Sequence, residues 1–328
     1  MASTRPRTIG IFSMGGTIAM TANAGGRGVA PQVGFDLLSP MRRLHPDLTL
    51  AHFELFAKPS PSVSLADVQL LCDQIEEKFR LGLCGAVVTH GTDTLEETAF
   101  ALSLLMATAK PVVVTGAMRH PEAPGADGPA NLASAILVAA SGQADGLGPL
   151  VLFGDEIHAP HLVRKIHSSR PHAFTSDPFG PMGHIVEGRL DLQMQPTLKH
   201  RPLRVESPVL AVPVLQAGLD LEPETVAAFS DANIGALIIA GVGGGHVSSR
   251  AVDAIAALAM RMPVIITSRV GMGHTLSRSY AYGGSEMDLA QRGVINGGRW
   301  RPAQARIIVQ MLLSVGKSRD EIAVWLAR

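Results

Sequence analysis

The chain has 328 residues, with 28 basic and 28 acidic side chains, and 46% of its residues are hydrophobic against 17% charged. This length and hydrophobic content suffice for two domains with buried cores. The balanced charge and the lack of any basic run argue against nucleic acids and membrane surfaces as partners.

Short apolar runs rich in β-branched residues alternate along the chain with longer helical patterns. The predicted strands cover residues 8–13, 85–90, 111–116, 149–154, 209–214, 235–240 and 263–268. The predicted helices cover residues 64–79, 94–107, 130–141, 222–232, 249–261, 302–316 and 319–328. Continuous Val, Ile and Leu runs predict strands that are covered on both faces, and the alternating order predicts parallel sheets.

Residues 195–208 contain three prolines, four basic residues and no apolar periodicity, which is typical of a linker. We therefore predict an N-terminal domain over 1–194 and a C-terminal domain over 209–328. The expected fold class is α/β, with a larger N-terminal parallel-rich sheet flanked by helices and a smaller C-terminal parallel α/β domain. The first residues do not resemble a secretory signal, and no apolar stretch is long enough for a membrane span, so we expect a cytoplasmic protein.

Metal binding is not favoured by the cysteines or the histidines. Cys72 and Cys84 lack the spacing of a ligand pair or a disulfide framework, and both are predicted to be small buried hydrophobes. His158, His161 and His167 occur close together in sequence, but no HExxH pattern accompanies them. We expect them to be scattered surface or supporting histidines.

Polar, glycine-rich segments follow four of the predicted strands, at the end where open α/β sheets bind ligands. They are GGT at 15–17, HGTDT at 90–94, GAMR at 116–119 and GVGGGH at 241–246. Thr94 alone fits a helix N-cap, but a cap does not account for His90, Gly91, Thr92 and Asp93 together. Neither the Rossmann spacing after the first strand nor a Walker motif is present, so nucleotide binding is not favoured.

Together, these motifs resemble those of the bacterial-type L-asparaginase and glutaminase-asparaginase family. The similar segments are MGGTIA at 14–19, THGTDTLEE at 89–97, PVVVTGAMRH at 111–120, ADGPANL at 126–132, AGVGGGH at 240–246, SRVGMG at 268–273 and GVINGGRWRPAQAR at 293–306. They span most of the chain in the family's order. The resemblance implies a hydrolase that releases ammonia from a side-chain carboxamide through a threonine acyl-enzyme, with L-asparagine as the first candidate substrate and no cofactor or metal.

The resemblance also implies roles for individual residues. Thr17 matches the first nucleophile, and Thr92, Asp93 and Lys165 match a second cluster in which the lysine accepts a threonine proton. From sequence spacing alone, Lys165 would instead be predicted to be a solvated surface residue. Asp93 matches both a partner of the lysine and the carboxylate that holds the substrate α-ammonium. Ser60 matches the serine that binds the α-carboxylate, although a loop or capping hydroxyl is an equally good description.

Backbone N–H groups near Thr17, Gly91 and Ala117 are the expected oxyanion donors, because preorganised amides stabilise the charge that develops on an attacked carbonyl. The predicted substrate contacts are Gly16, Ser60, Gly91, Thr92, Asp93 and Ala117.

The loop after the first strand departs from the family pattern. Well-studied members place a tyrosine there that helps to activate the nucleophile, whereas residues 20–38 contain none. The nearest match is Val29, beside Gly28, and valine cannot relay a proton. The chain's two tyrosines, Tyr280 and Tyr282, lie where members place a residue that reaches a neighbouring subunit's site. We predict that one of them supplies the missing hydroxyl; packing at a subunit contact is the alternative.

Two further departures bear on the substrate. Pro61 stands where members carry a glutamine, and His246 stands where an asparagine of the partner subunit often reaches the substrate. Both changes point to altered recognition of the α-amino group. The alternatives to L-asparagine hydrolysis are therefore hydrolysis of D-asparagine, glutamine or an analogue with a modified α-amino group. A non-catalytic amino-acid sensor is a further alternative.

Two expectations concern assembly and motion. The family's shared active sites imply a homodimer or homotetramer. Glycines at 25, 26, 28 and 34 are compatible with a mobile lid over residues 20–34, and the sequence does not determine whether it closes over the site.

Overall fold

The computed structural model describes residues 7–22, 29–31, 36–195, 202–206, 208–230 and 233–328. The chain divides into two compact units, Met1–Pro202 and Leu203–Arg328. The division falls within the predicted linker, whose own conformation stays a prediction because 196–201 and 207 lie outside the described residues.

The N-terminal unit contains a large sheet and two small antiparallel pairs. Its strands are β1 (Thr8–Ser13), β2 (Met20–Ala22), β3 (Val29–Pro31), β4 (Thr49–Glu54), β5 (Gly85–Thr89), β6 (Val112–Thr115), β7 (Pro149–Phe153), β8 (Glu156–His158), β9 (Arg164–Lys165), β10 (Phe174–Thr175), β11 (Gly183–Val186) and β12 (Arg189–Leu192). Its helices are α1 (Leu38–Leu44), α2 (Leu65–Arg80), α3 (Leu95–Leu105) and α4 (Gly128–Ala140), with 3-10 turns at Thr17–Ala19 and Ser60–Ser62.

The large sheet has the order β12-β11-β8-β7-β6-β5-β1-β4. Strands β4, β1, β5, β6 and β7 run parallel, whereas β8, β11 and β12 add an antiparallel extension. Every residue of β5, β6 and β7 is buried, as their continuous apolar sequences predict. Burial of each Val, Leu or Ile side chain stabilises the unit by roughly 1.5–3 kcal/mol.

The C-terminal unit contains a parallel sheet in the order β13-β14-β15-β16. Its strands are β13 (Val214–Gln216), β14 (Leu237–Gly241), β15 (Val264–Ser268) and β16 (Ile295–Asn296). Its helices are α5 (Pro223–Ala227), α6 (Val252–Ala259), α7 (Glu286–Gln291), α8 (Pro302–Ser314) and α9 (Arg319–Leu326), and a 3-10 turn precedes α6 at Ser249–Ala251. Both units therefore have the predicted α/β class.

Two details of the prediction are wrong. Residues 208–213 form no strand, and β13 begins only at Val214, because Pro213 has no N–H to donate to a ladder. Cys72 is buried as expected, whereas Cys84 is only half-buried, and the two do not form a disulfide. None of the helices in the described ranges is long and apolar enough to cross a bilayer.

The sheet brings three motif-bearing strand ends together. In the register, Ser13 of β1 pairs with Thr89 of β5, and Thr89 pairs with Thr115 of β6. HGTDT and GAMR follow Thr89 and Thr115 directly, and GGT follows Ser13 after one intervening residue, Met14. They therefore meet at one edge, beyond the carboxyl ends of the strands, where ligand sites of open α/β sheets lie.

Candidate active site

Two glycines let the chain before Thr17 pack closely against two neighbouring segments, the Lys58 loop and the HGTDT turn. Gly15 and Gly16 have φ values of 94° and 90°, a region in which side chains are strained. A Cβ on Gly16 would lie 2.3 Å from the backbone N of Gly91, and one on Gly15 would lie 2.6 Å from the carbonyl oxygen of Lys58. Glycine is thus required at both positions by conformation and by contact. Thr17, half-buried, begins the 3-10 turn that follows.

The HGTDT turn holds Ser60 in place. A Cβ on Gly91 would lie 2.8 Å from the Ser60 Oγ, so the two residues are in direct contact. The Thr94 hydroxyl donates to the Ser60 carbonyl oxygen at 2.8 Å. Thr94 occupies the predicted N-cap position of α3, but its side chain makes no capping hydrogen bond. Its hydroxyl instead ties the turn to the Ser60 loop, and Ser60 is 3% exposed.

The start of helix α2 supports the same loop. Ser64 and Asp67 form a capping box, in which each side chain accepts from the other's backbone N–H. The Asp67 carboxylate also pairs with the Lys58 ammonium at 2.8 Å. Burial would raise the pKa of Asp67, but the hydrogen bonds from Lys58 and Ser64 hold it below its ordinary value.

Lys165 joins two residues of the HGTDT turn. Its Nζ lies 3.0 Å from the Thr92 Oγ1 and 2.7 Å from the Asp93 Oδ1. The lysine side chain is 13% exposed, and its backbone N–H donates to Glu96 at the start of α3. The surface position that spacing alone suggests for Lys165 is therefore wrong. Thr92, Asp93 and Lys165 form one hydrogen-bonded cluster.

His90 holds the HGTDT turn from its buried side. Its side chain is fully buried, and Nδ1 lies 2.8 Å from the Gly91 carbonyl oxygen, so Nδ1 carries the proton. Nε2 then accepts from the Thr98 hydroxyl at 3.0 Å. Burial lowers the pKa of His90 to about 4, against a smaller opposing effect of the Gly91 bond. His90 is thus a neutral positioning group.

The ADGPANL segment fixes the loop that carries Ala117. The Asp127 carboxylate accepts from the backbone N–H groups of Met118 and Arg119, both at 2.9 Å. The Asn131 amide donates to the Gly116 carbonyl oxygen at 3.0 Å. Ala117 is fully buried between these anchors. The sequence analysis assigned no role to Asp127 or Asn131. The feature that could have identified them is a carboxylate and an amide placed shortly after a loop that follows a strand end.

A second cluster lies in the C-terminal unit. His246 Nε2 lies 2.9 Å from the Glu286 Oε2, and the Tyr282 hydroxyl lies 2.8 Å from His246 Nδ1. The Tyr280 ring meets the imidazole edge-on, with centroids 5.1 Å apart. The structure thus brings His246, Tyr280 and Tyr282 together. Sequence reasoning missed Glu286, which reads as an ordinary acidic residue in the first turn of α7 after the Ser285 cap.

Within the residues that the structure describes, His158, His161 and His167 do not form a group that could hold a metal ion. His158 is fully buried, so of the two predicted positions, surface or supporting, it does not occupy the surface one. Its Nδ1 lies 2.9 Å from the Ser176 hydroxyl, and burial lowers its pKa to about 4. His167 instead accepts from the backbone N–H groups of residues 169 and 170.

Part of the predicted lid falls outside the described residues. Strand β2 pairs antiparallel with β3, and Ala22 lies opposite Val29. Gly25, Gly26, Gly28 and Gly34 lie in 23–28 and 32–35, outside the described ranges.

Comparison with known proteins identifies matching models for both units. The family model described as Asparaginase, N-terminal matches residues 8–198, and the model described as Glutaminase/Asparaginase C-terminal domain matches residues 211–326.

Relatives match over most of the chain. A protein of Deinococcus radiodurans named "Probable L-asparaginase" is 35% identical over 98% of this chain and 97% of its own length. The "L-asparaginase" of Bacillus licheniformis is 33% identical over 94% of this chain and 96% of its own length. A Haemophilus influenzae protein named "Probable L-asparaginase periplasmic" is 34% identical over 71% of this chain and 67% of its own length. The chain belongs to the asparaginase family of amidohydrolases.

Proposed function

We propose that this chain hydrolyses the side-chain carboxamide of a small amino acid, with L-asparagine to L-aspartate as the first candidate, through a threonine acyl-enzyme. The observation that carries the proposal is the Lys165 Nζ in hydrogen-bonding contact with both Thr92 and Asp93. The turn that holds this cluster packs directly against Gly16, the residue before Thr17. The relatives named L-asparaginase support the substrate class.

The proposed reaction proceeds in two displacements. Thr17 Oγ bonds to the amide carbon and gives its proton to a base, and the carbon–nitrogen bond then breaks as nitrogen takes a proton and leaves as ammonia. Water next adds to the ester carbon, the carbon–Oγ bond breaks, Thr17 regains a proton and the carboxylic acid departs. Dividing one difficult displacement into two lowers each barrier, provided that the hydroxyl is activated. N–H groups near Thr17, Gly91 and Ala117 stabilise the two oxyanions.

The cluster of Thr92, Asp93 and Lys165 exchanges protons and binds the substrate. Lys165, whose Nζ contacts the Thr92 hydroxyl, exchanges a proton with it during the cycle. Asp93 holds Lys165 through Oδ1, while its side chain is 66% exposed and so keeps room for a substrate α-ammonium. The buried Ser60, held against Gly91, takes the α-carboxylate.

The second candidate function is hydrolysis of an amide other than L-asparagine, and Pro61 is the residue that favours it. This residue is exposed next to Ser60 and brings neither an N–H nor a carboxamide to the site. D-asparagine, glutamine or an analogue with a modified α-amino group would depend less on that contact. The sensor alternative is weaker, because a pure binding protein has no use for a lysine that bridges Thr92 and Asp93.

The assembly and the location complete the proposal. We expect a homodimer or homotetramer with shared active sites, which light scattering measures directly. We also expect a cytoplasmic location, which cell fractionation tests; the Haemophilus relative named periplasmic makes this test necessary.

An ammonia-release screen tests the function. The purified chain is given L-asparagine, D-asparagine, L-glutamine and deaminated or N-substituted analogues. Release from L-asparagine above all others supports the main proposal, and preferential release from another amide supports the second candidate. Tight binding of one amide without ammonia release from any would make the sensor the better description.

A further inference from the structure

We propose that Glu96 is a positioning residue, which holds the backbone of Lys165 so that the lysine Nζ stays in contact with the Thr92 hydroxyl. This inference rests on the function proposed above, because it concerns the lysine of that mechanism. Glu96 lies in the first turn of α3 and is half-buried. The sequence analysis assigned it no role of its own.

Lys165 lies on a two-stranded sheet that β9 and β10 form together. Lys165 is opposite Phe174 in the register, and the next residue, Ile166, donates its N–H to the Ala173 carbonyl oxygen at 2.7 Å. Because successive N–H groups of an antiparallel strand point to opposite sides, the Lys165 N–H points away from β10. On that outer edge of β9, the Glu96 carboxylate accepts this N–H.

The other strand of this hairpin is attached to the large sheet. The Phe174 ring of β10 packs against the Phe153 ring of β7, with centroids 4.6 Å apart. Just after β10, the Ser176 hydroxyl lies 2.9 Å from Nδ1 of His158 on β8. The hairpin is therefore attached through β10 to the large sheet and through β9 to α3.

One short segment of the chain contacts both ends of the lysine. Thr92 and Asp93 contact the Lys165 Nζ at 3.0 and 2.7 Å. Glu96, in the same segment, contacts the backbone N–H of the lysine. The distance between Nζ and the Thr92 hydroxyl thus depends on where Glu96 holds the lysine backbone. A misplacement of about 1 Å at a reacting group costs on the order of 10²-fold in rate.

A favourable interaction with the helix dipole is the competing explanation for Glu96. Glu96 and Glu97 are both acidic residues of the first turn of α3, where negative charge stabilises a helix. That role requires a charge, whereas the positioning role requires an oxygen that accepts the Lys165 N–H. Glutamine separates the two roles, because its amide keeps an acceptor oxygen and lacks the charge.

Steady-state kinetics on three variants makes this separation, with circular dichroism to confirm folding. Glu96→Ala removes the acceptor, and we expect kcat to fall by about 10- to 10²-fold while KM changes by less than about threefold. Glu96→Gln should restore kcat to within about threefold of the unmodified chain. Glu97→Gln is the matched control, since it removes the same charge from the same turn, and its kcat should change by less than about twofold.

A double variant distinguishes positioning of the lysine from general damage to the site. If Glu96 acts through Lys165, the effect of Glu96→Ala depends on the lysine amine being present. In a Lys165→Met chain, adding Glu96→Ala should therefore lower kcat by less than about twofold. A loss of equal size with and without the amine would overturn the positioning role.

Hydrogen exchange provides a readout that does not depend on activity. The Lys165 amide, resolved by fragmentation mass spectrometry, should exchange at least about tenfold faster in Glu96→Ala than in Glu96→Gln or the unmodified chain. Absence of ammonia release from the unmodified chain would refute the proposed function and, with it, the catalytic use of the lysine. An active chain whose kcat survives Glu96→Ala, or a Lys165 amide whose exchange is unchanged in that variant, would overturn the positioning role while leaving the function standing.

Discussion

Lys165 Nζ lies 3.0 Å from the Thr92 hydroxyl, although 73 residues separate them in the chain. The contact arises because β9 returns the lysine to the strand end from which the HGTDT turn begins. In the proposed mechanism, a lysine in this position pairs with the Asp93 carboxylate and exchanges a proton with Thr92.

Replacing this lysine tests its chemical role. Lys165→Met keeps the length of the side chain but removes the amine, and we expect kcat to fall by about 10²- to 10⁴-fold. Lys317→Met is the control, because Lys317 is an exposed partner of Glu321 on α9. Steady-state kinetics on both variants, with circular dichroism to confirm folding, makes the comparison. A Lys165→Met enzyme with unchanged kcat would remove the lysine from the mechanism.

The approach of Gly16 to Gly91 predicts a severe effect of a single methyl group. In Gly16→Ala the new Cβ would meet the backbone N of Gly91 at 2.3 Å, so the Thr17 turn must shift. The matched control is Gly82→Ala, because Gly82 also has a positive φ, of 111°, but nothing within 4 Å of an added Cβ. Both variants should lose about 1 kcal/mol or more through backbone strain. Gly16→Ala should in addition lose most of its kcat, and equal kcat in the two variants would contradict this reasoning.

The bond from Thr94 to the Ser60 carbonyl oxygen should affect substrate binding more than chemistry. Thr94→Val removes the donor, and we expect a rise in KM with a smaller change in kcat, together with a loss of about 1 kcal/mol in unfolding free energy. Thr94→Ser keeps the hydroxyl and should behave like the unmodified chain. If Thr94→Val left KM and stability unaltered, Thr94 would not be what fixes the Ser60 loop.

Stability should fall as the pH is lowered below neutral. The pKa of buried His90 is lowered from 6.5 to about 4, so between these values the unfolded chain binds a proton that the folded chain does not. Unfolding is therefore favoured as the pH drops through this window, by up to about 1.4 kcal/mol per pH unit for each such histidine.

Urea titrations at pH 7 and pH 5 measure this slope. His90→Asn should flatten it, whereas the same change at the exposed His274 should not. Buried His158 contributes in the same direction, so the slope should fall without vanishing. An identical slope in His90→Asn and the unmodified chain would refute the assignment.

Long apolar segments made much of the fold predictable from sequence. The predicted strand 8–13 is observed as β1, and the predicted helix 64–79 as α2, with its capping box at Ser64. Strand β4 was not predicted, because its sequence TLAHFE places polar residues among few apolar ones at the sheet edge. The short antiparallel strands β8, β11 and β12 are equally weak signals, since each has four residues or fewer.

The candidate site was predictable where a motif is local. The composition of residues 14–19 and 89–97 identifies them as segments that follow strand ends. Because the strands are parallel, these two segments lie at the same edge of the sheet. The contact of Lys165 with Asp93 depends on a non-local chain path, and no periodicity encodes it. The role of Glu286 is equally hard to predict, because its contacts with His246 and Ser279 depend on the folded structure and not on the residues next to it in sequence.

Acylation of Thr17 by an amide substrate is the central claim, and mass spectrometry of the quenched reaction tests it most directly. The chain is mixed with excess L-asparagine, quenched in acid within one turnover and digested, and the peptide that contains Thr17 is weighed. We predict an acyl adduct on that peptide, its loss in Thr17→Ala, and its persistence in Thr17→Ser. Ammonia release accompanied by an adduct on Thr92, or by undiminished turnover in Thr17→Ala, would contradict the account.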